Sequence, residues 1–139
     1  MTMTPSTPDS TVPQDAAAPA EVVAPEVSSR DLPACVTAQT TVDSAEAADA
    51  LASALIEQGL AACVQVAEVR SFYRWQGQVH NDPEWLLTAK TTAETAAGPL
   101  RDHISQHHPY DEPEFIVQPI IDGSEGYLAW VRESVRSTS

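Results

Sequence analysis

Positive charge is scarce in this chain. Seven Lys and Arg stand against twenty Asp and Glu in 139 residues, a formal charge of −13. Such a surface repels nucleic-acid phosphate and anionic lipid and gathers cations, so nucleic acid and membrane surfaces are set aside as partners. Long apolar runs are missing as well. Nothing reaches the roughly 20 residues that cross a bilayer, and the expected location is the cytoplasm. The five glycines build no phosphate-binding loop, which argues against a nucleotide cradle. Only two cysteines occur, Cys35 and Cys63, and both read as small buried hydrophobes in a reducing compartment.

Prolines and aromatics divide the chain. Residues 1–30 hold five of the eleven prolines and no aromatic residue. Such a stretch cannot bury enough apolar surface to offset ordering entropy, so residues 1–32 are expected to form a disordered, acidic Pro/Ala-rich tail. No Lys or Arg precedes Arg30 and no apolar core follows, so it does not read as a signal peptide. Residues 33–139 then form one domain. Sixteen acidic and six basic side chains over 31–139 leave it at −10.

The elements alternate. Residues 34–40 read as a strand, and Asp43-Ser44-Ala45-Glu46 as a capping box for a helix ending at Gly59. Residues 62–75 form a second strand. Its apolar parity changes from Val64 and Val66 to Val69, Tyr73 and Trp75, which predicts a bulge near Ala67–Glu68. Gln76-Gly77-Gln78 offers a turn, with Asn81-Asp82-Pro83 as an alternative, and residues 84–90 return as a strand bearing Trp85, Leu87 and Ala89 on one face. Thr91-Thr92-Ala93-Glu94 caps a second helix. Pro99 either resets it, with Gly98 as cap, or kinks it. Residues 114–120 make a last strand, where Pro119 points to an edge. Ser124 caps a final helix carrying Tyr127, Leu128, Val131 and Val135. This βαββαβ order with a terminal helix predicts an α+β, ferredoxin-like antiparallel sheet of order 4-1-3-2 with two helices on one face. In that order Cys35 and Cys63 lie about 10 Å apart, too far for a disulfide.

The densest chemistry lies in His107-His108-Pro109-Tyr110-Asp111-Glu112-Pro113-Glu114. Imidazole and carboxylate are the usual ligands of first-row divalent metals, and two prolines stiffen the segment. His103 sits one helical turn before His107. The candidate metal ligands are therefore His103, His107, His108 and Glu114. The plain alternative is a polar helix-to-strand turn, with His103 packed and His80 solvated. Lys90 reads as a solvated charge ending a strand, or else as an anion contact.

Several blocks together resemble the CutA divalent-cation tolerance family: Leu60-Ala61-Ala62-Cys63-Val64, Tyr73-Arg74-Trp75-Gln76-Gly77-Gln78, Lys90-Thr91, His108-Pro109-Tyr110-Asp111-Glu112-Pro113-Glu114 and Gly123-Ser124-Glu125-Gly126-Tyr127-Leu128-Ala129-Trp130. The resemblance implies a ferredoxin-like subunit, a tight homotrimer with strand pairing between subunits, and a link to divalent metals, copper above all. In bacterial members, the histidines before Pro-Tyr act with a cysteine at the end of the first strand. His107 and His108 match that pair, whereas Thr40 takes the cysteine's place. The change favours imidazole and carboxylate ligands, hence Cu(II) or another divalent ion.

Two other classes share the fold. A PII-like signalling trimer would bind a small ligand between subunits, and it needs phosphate cradles that are absent here. An acylphosphatase-like enzyme needs a cation in the loop Thr41-Val42-Asp43, which has none. No nucleophile–base constellation is visible, so a non-enzymatic role is expected.

Overall fold

A computed structural model describes residues 32–136, so the expected tail before Leu32 lies outside the described residues. Strand β1 (Cys35–Val42) leads to helix α1 (Ala45–Glu57), then to strands β2 (Cys63–Trp75) and β3 (Gln78–Thr92). Helices α2 (Ala93–Ala97) and α3 (Pro99–His107), strand β4 (Ile116–Pro119) and helix α4 (Glu125–Arg136) complete it. The four antiparallel strands take the order β2-β3-β1-β4, the split arrangement anticipated from the element sequence.

Register decides which side chains meet the helices. Val36, Ala38 and Val42 alternate along β1, and their partners across β3 are Thr91, Ala89 and Trp85. These positions share one face with Leu87, since side chains two apart on a strand point the same way. Onto that face α1 brings Ala48, Leu51 and Leu55, while α2 and α3 bring Ala96, Leu100 and Ile104; together they make the principal core. Burial of a Leu or Ile side chain contributes about 1.5–3 kcal/mol, so this layer dominates stability. Helix α4 takes the opposite face. There Val131 and Val135 are buried, and the Cys35 thiol donates to the Leu128 carbonyl at 3.7 Å. Cys35 and Cys63 are both free thiols.

Local signals were partly displaced. Ser44, not Asp43, caps α1, accepting from the Ala47 amide at 3.0 Å. Thr92, not Thr91, caps α2. At Pro99 the helix is reset: α2 ends, Gly98 becomes the cap and Pro99 opens α3. Pro tolerates that position because its missing N–H would have had no partner there. Gly59 follows α1 at φ 69, the left-handed conformation that ends helices.

The predicted bulge does not form. The β2–β3 register runs without a slip from Cys63↔Lys90 to Trp75↔Gln78. The apolar parity changes because the cover changes. Near Val64 the helix layer supplies the apolar contact, while beyond Ala67 the hairpin projects past it. The turn sits at Gln76-Gly77, both at positive φ (52 and 79), as a two-residue hairpin loop requires. Asn81, Asp82 and Pro83 therefore lie within β3.

Candidate functional site

The last turn of α3 places two imidazoles together. The rings of His103 and His107 stack with centroids 4.2 Å apart and planes inclined by 26°. Spacing of four residues on a helix puts them on one face. The His107 Nδ1 lies 3.0 Å from the His103 carbonyl oxygen. A carbonyl only accepts, so Nδ1 carries a proton, and in the neutral ring Nε2 is the nitrogen with the free lone pair. His103 is half-buried, and burial, followed by the nearby His107, lowers its proton affinity below the ordinary imidazole value. Both rings edge a groove of about 440 Å³ between α1 and α3, whose apolar wall includes Ala47, Leu51 and Ala54.

His108 has a different task. Its backbone leaves the helix at φ −80, ψ 142, as the following proline demands. The ring donates through Nε2 to the Thr41 carbonyl at 2.8 Å and accepts through Nδ1 from the Tyr110 amide at 3.0 Å. Both ring nitrogens are occupied, and the neutral ring is the form that satisfies both. Burial lowers its proton affinity, against the opposing pull of the Thr41 bond, Asp43 and Glu84. His107 and His108 thus turn to different partners.

Downstream of His108, Tyr110 crosses to the sheet. Its hydroxyl donates to Glu84 Oε2 at 2.9 Å, and the Ser71 hydroxyl donates to Oε1 of the same carboxylate at 2.7 Å. Burial and then the Glu84 bond push the Tyr110 phenol far above its usual range. Beside them Tyr73 donates to Asp82 at 2.5 Å and stacks on His80 at 5.2 Å. His80 is therefore half-buried against the Tyr73 ring. Glu114 is exposed, and among the described residues no three His, Cys, Asp or Glu side chains gather to hold a metal ion. Sequence reasoning missed Ser71, Glu84 and the Tyr110 clasp. The signal was available in the strand pairing, which sets Val69 opposite Glu84 and Ser71 opposite Asp82.

Thr40, in the cysteine position of the resembling family, is 2% exposed and its hydroxyl has no hydrogen-bond partner. Lys90 does not end its strand. It lies two residues inside β3, half-buried.

An antiparallel sheet of order β2-β3-β1-β4, helices α1, α2 and α3 on one face and a His-Pro-Tyr exit clasped to a strand carboxylate define a ferredoxin-like α+β subunit of a particular kind. Residues 35–134 match the family model of the CutA1 divalent ion tolerance protein. A divalent-cation tolerance protein CutA of Thermus thermophilus is 47% identical over 96 residues, covering 68% of this chain and 91% of that protein. Protein CutA, chloroplastic, of Arabidopsis thaliana is 40% identical over 113 residues, covering 81% of this chain and 61% of the plant protein, so the chain spans under two thirds of that relative. The solved structure of CutA from Synechococcus elongatus superposes with a TM-score of 0.71 at 36% identity, covering 75% of this chain and 92% of that one. The chain belongs to the CutA1 divalent ion tolerance family. No described helix is long and apolar enough to cross a membrane.

Proposed function

We propose that the protein is a non-enzymatic, cytoplasmic homotrimer that binds a divalent metal ion, Cu(II) ahead of Zn(II), through imidazoles at the end of α3. The observation that carries this reading is the stacked His103–His107 pair. With Nδ1 of His107 committed to a backbone carbonyl, Nε2 is oriented outward, the way metal-binding histidines are commonly held by an outer hydrogen bond. Two nitrogens one helical turn apart supply part of a coordination shell, and nitrogen and oxygen ligands rank Cu(II) above Zn(II). Glu114 and water are the partners that complete it. His108 joins only by giving up its bonds to Thr41 and Tyr110, so it ranks behind the other two. The trimer is supported by the projecting hairpin, where Phe72 is 64%, Trp75 61% and Val79 67% exposed. Open edges on β2 and β4 add to the case, since edge strands seek pairing and a cyclic assembly satisfies every copy.

Calorimetric titration with Cu(II) at pH 7.5 and 5.5 tests the metal assignment on wild type, His103→Ala/His107→Ala and His108→Ala. The reading expects wild-type binding that weakens at the lower pH, because the ligands must shed protons. It expects loss in the double variant and a smaller change in His108→Ala. Undiminished binding in the double variant moves the site elsewhere, and no wild-type binding removes the metal role of these histidines.

A further inference from the structure

Lys90 is the only lysine in the chain, and it stands where an acidic protein would be expected to neutralise it. It lies opposite Thr37 on β1 and opposite Cys63 on β2, at the centre of the sheet. Its ammonium reaches α4, where Nζ donates to the Tyr127 hydroxyl at 3.4 Å and sits 5.4 Å from the centre of that ring. No described carboxylate comes within ion-pair distance of it.

The strand neighbours on this face are all uncharged; on α4, the Arg132 guanidinium lies near the Cys35 thiol and donates to the Pro33 carbonyl. Thr88 and Thr92 lie two residues away along β3, Thr37 and Gln39 on β1, Gln65 on β2, and Gln118 pairs with Thr37 from β4. The first acidic side chain of β3 on this face is Glu84, six residues along the strand and about 20 Å away. With sixteen carboxylates in residues 31–139, a solvated lysine would have ample opportunity for a pair. Hydroxyls and amides that both donate and accept surround it instead. A half-buried ammonium set among neutral hydrogen-bonding groups is poorly compensated by the protein itself.

We infer that Lys90, with Tyr127 and the Thr/Gln face of the sheet, binds a small organic carboxylate. The single charge follows from the electrostatics. One cation balances one negative charge, and the acidic background opposes a second, so a monocarboxylate is favoured over phosphate. The ammonium and hydroxyls hold the carboxylate oxygens by charge-assisted hydrogen bonds. The Tyr127 and Trp130 rings, 5.4 Å apart, flank the apolar remainder. This inference does not depend on the metal assignment, which concerns the far side of the helix layer.

A single lysine gives a direct readout. The full chain is prepared with isotope-labelled lysine, and its one side-chain resonance is followed at fixed ionic strength during titration with sodium acetate, acetamide, sodium chloride or inorganic phosphate. A saturable shift with acetate, none with acetamide or chloride, and weaker phosphate binding are expected. Lys90→Gln, followed through the Trp130 indole resonance, should weaken acetate by roughly tenfold or more, with Lys90→Arg keeping part of it. Tyr127→Phe should weaken it several-fold. If Lys90→Gln does not fold, the wild-type titration decides alone. An acetate response that does not saturate, or that acetamide matches, overturns the inference. Phosphate binding tighter than acetate overturns the choice of carboxylate.

Discussion

The two ends of the β2–β3 hairpin share strands, register and hydrogen-bond pattern, yet they live in different surroundings. At one end Leu87 and Ala89 are buried beneath α1, α2 and α3. At the other, Phe72, Trp75 and Val79 stand more than 60% exposed on strands that nothing among the described residues covers. A two-stranded ribbon is at best marginal in water, so backbone pairing alone does not explain the projecting end. Apolar side chains placed there make sense when another copy supplies the missing layer. In the proposed trimer, one end of the hairpin belongs to the fold of the subunit and the other to its assembly.

This contrast is broken most strongly at the covered end. Leu87→Ala removes a side chain 1% exposed from the principal core, and a loss of about 2–5 kcal/mol in chemical denaturation is expected. At the projecting end, a Phe72→Ser/Trp75→Ser variant should leave the subunit's far-ultraviolet dichroism intact while shifting its sedimentation toward lower mass. A large loss of secondary structure would instead make these aromatics part of the subunit's own core.

Smaller effects sharpen the picture. His108 holds Thr41 and Tyr110 as a neutral ring, and its proton affinity is lowered in the fold. The unfolded chain therefore takes up a proton more readily than the native one. The stabilisation from this group is complete above the ordinary imidazole value of about 6.5 and fades as pH falls through the lower native value. Melting temperature should drop between pH 7.5 and 5.5, and His108→Gln, which cannot titrate, should flatten that slope. The smallest change is expected at Thr40, whose buried hydroxyl lacks a partner. Thr40→Val should raise stability by about 1 kcal/mol in a denaturant titration, since an unpaired buried hydroxyl is itself costly.

Much of the fold was legible because periodicity and punctuation agreed. Leu51 and Leu55 marked the inner face of α1, Trp85, Leu87 and Ala89 that of β3, and Gly98-Pro99 the break between α2 and α3. The parity change at Ala67–Glu68 was read as a bulge because a lone sequence does not show where the helix layer stops. Placement of α4 against the second face was likewise hidden, since its stripe of Val131 and Val135 fits either side equally. Within the site, His103 and His107 were found by their spacing. The commitment of His108 to Thr41, 67 residues away, has no local signature. The Ser71–Glu84–Tyr110 clasp joins three separate segments and emerges only once the strands are in register. Lys90 was misjudged because β3 runs to Thr92, beyond the apolar alternation that suggested its end.

The claim that the uncovered end of the hairpin is built for assembly is tested most directly by sedimentation equilibrium of the purified full chain at micromolar concentration. The account predicts a single species of three times the 14.9 kDa chain mass. A monomer under those conditions would contradict it, leaving Phe72, Trp75 and Val79 without the cover that a second copy was proposed to supply.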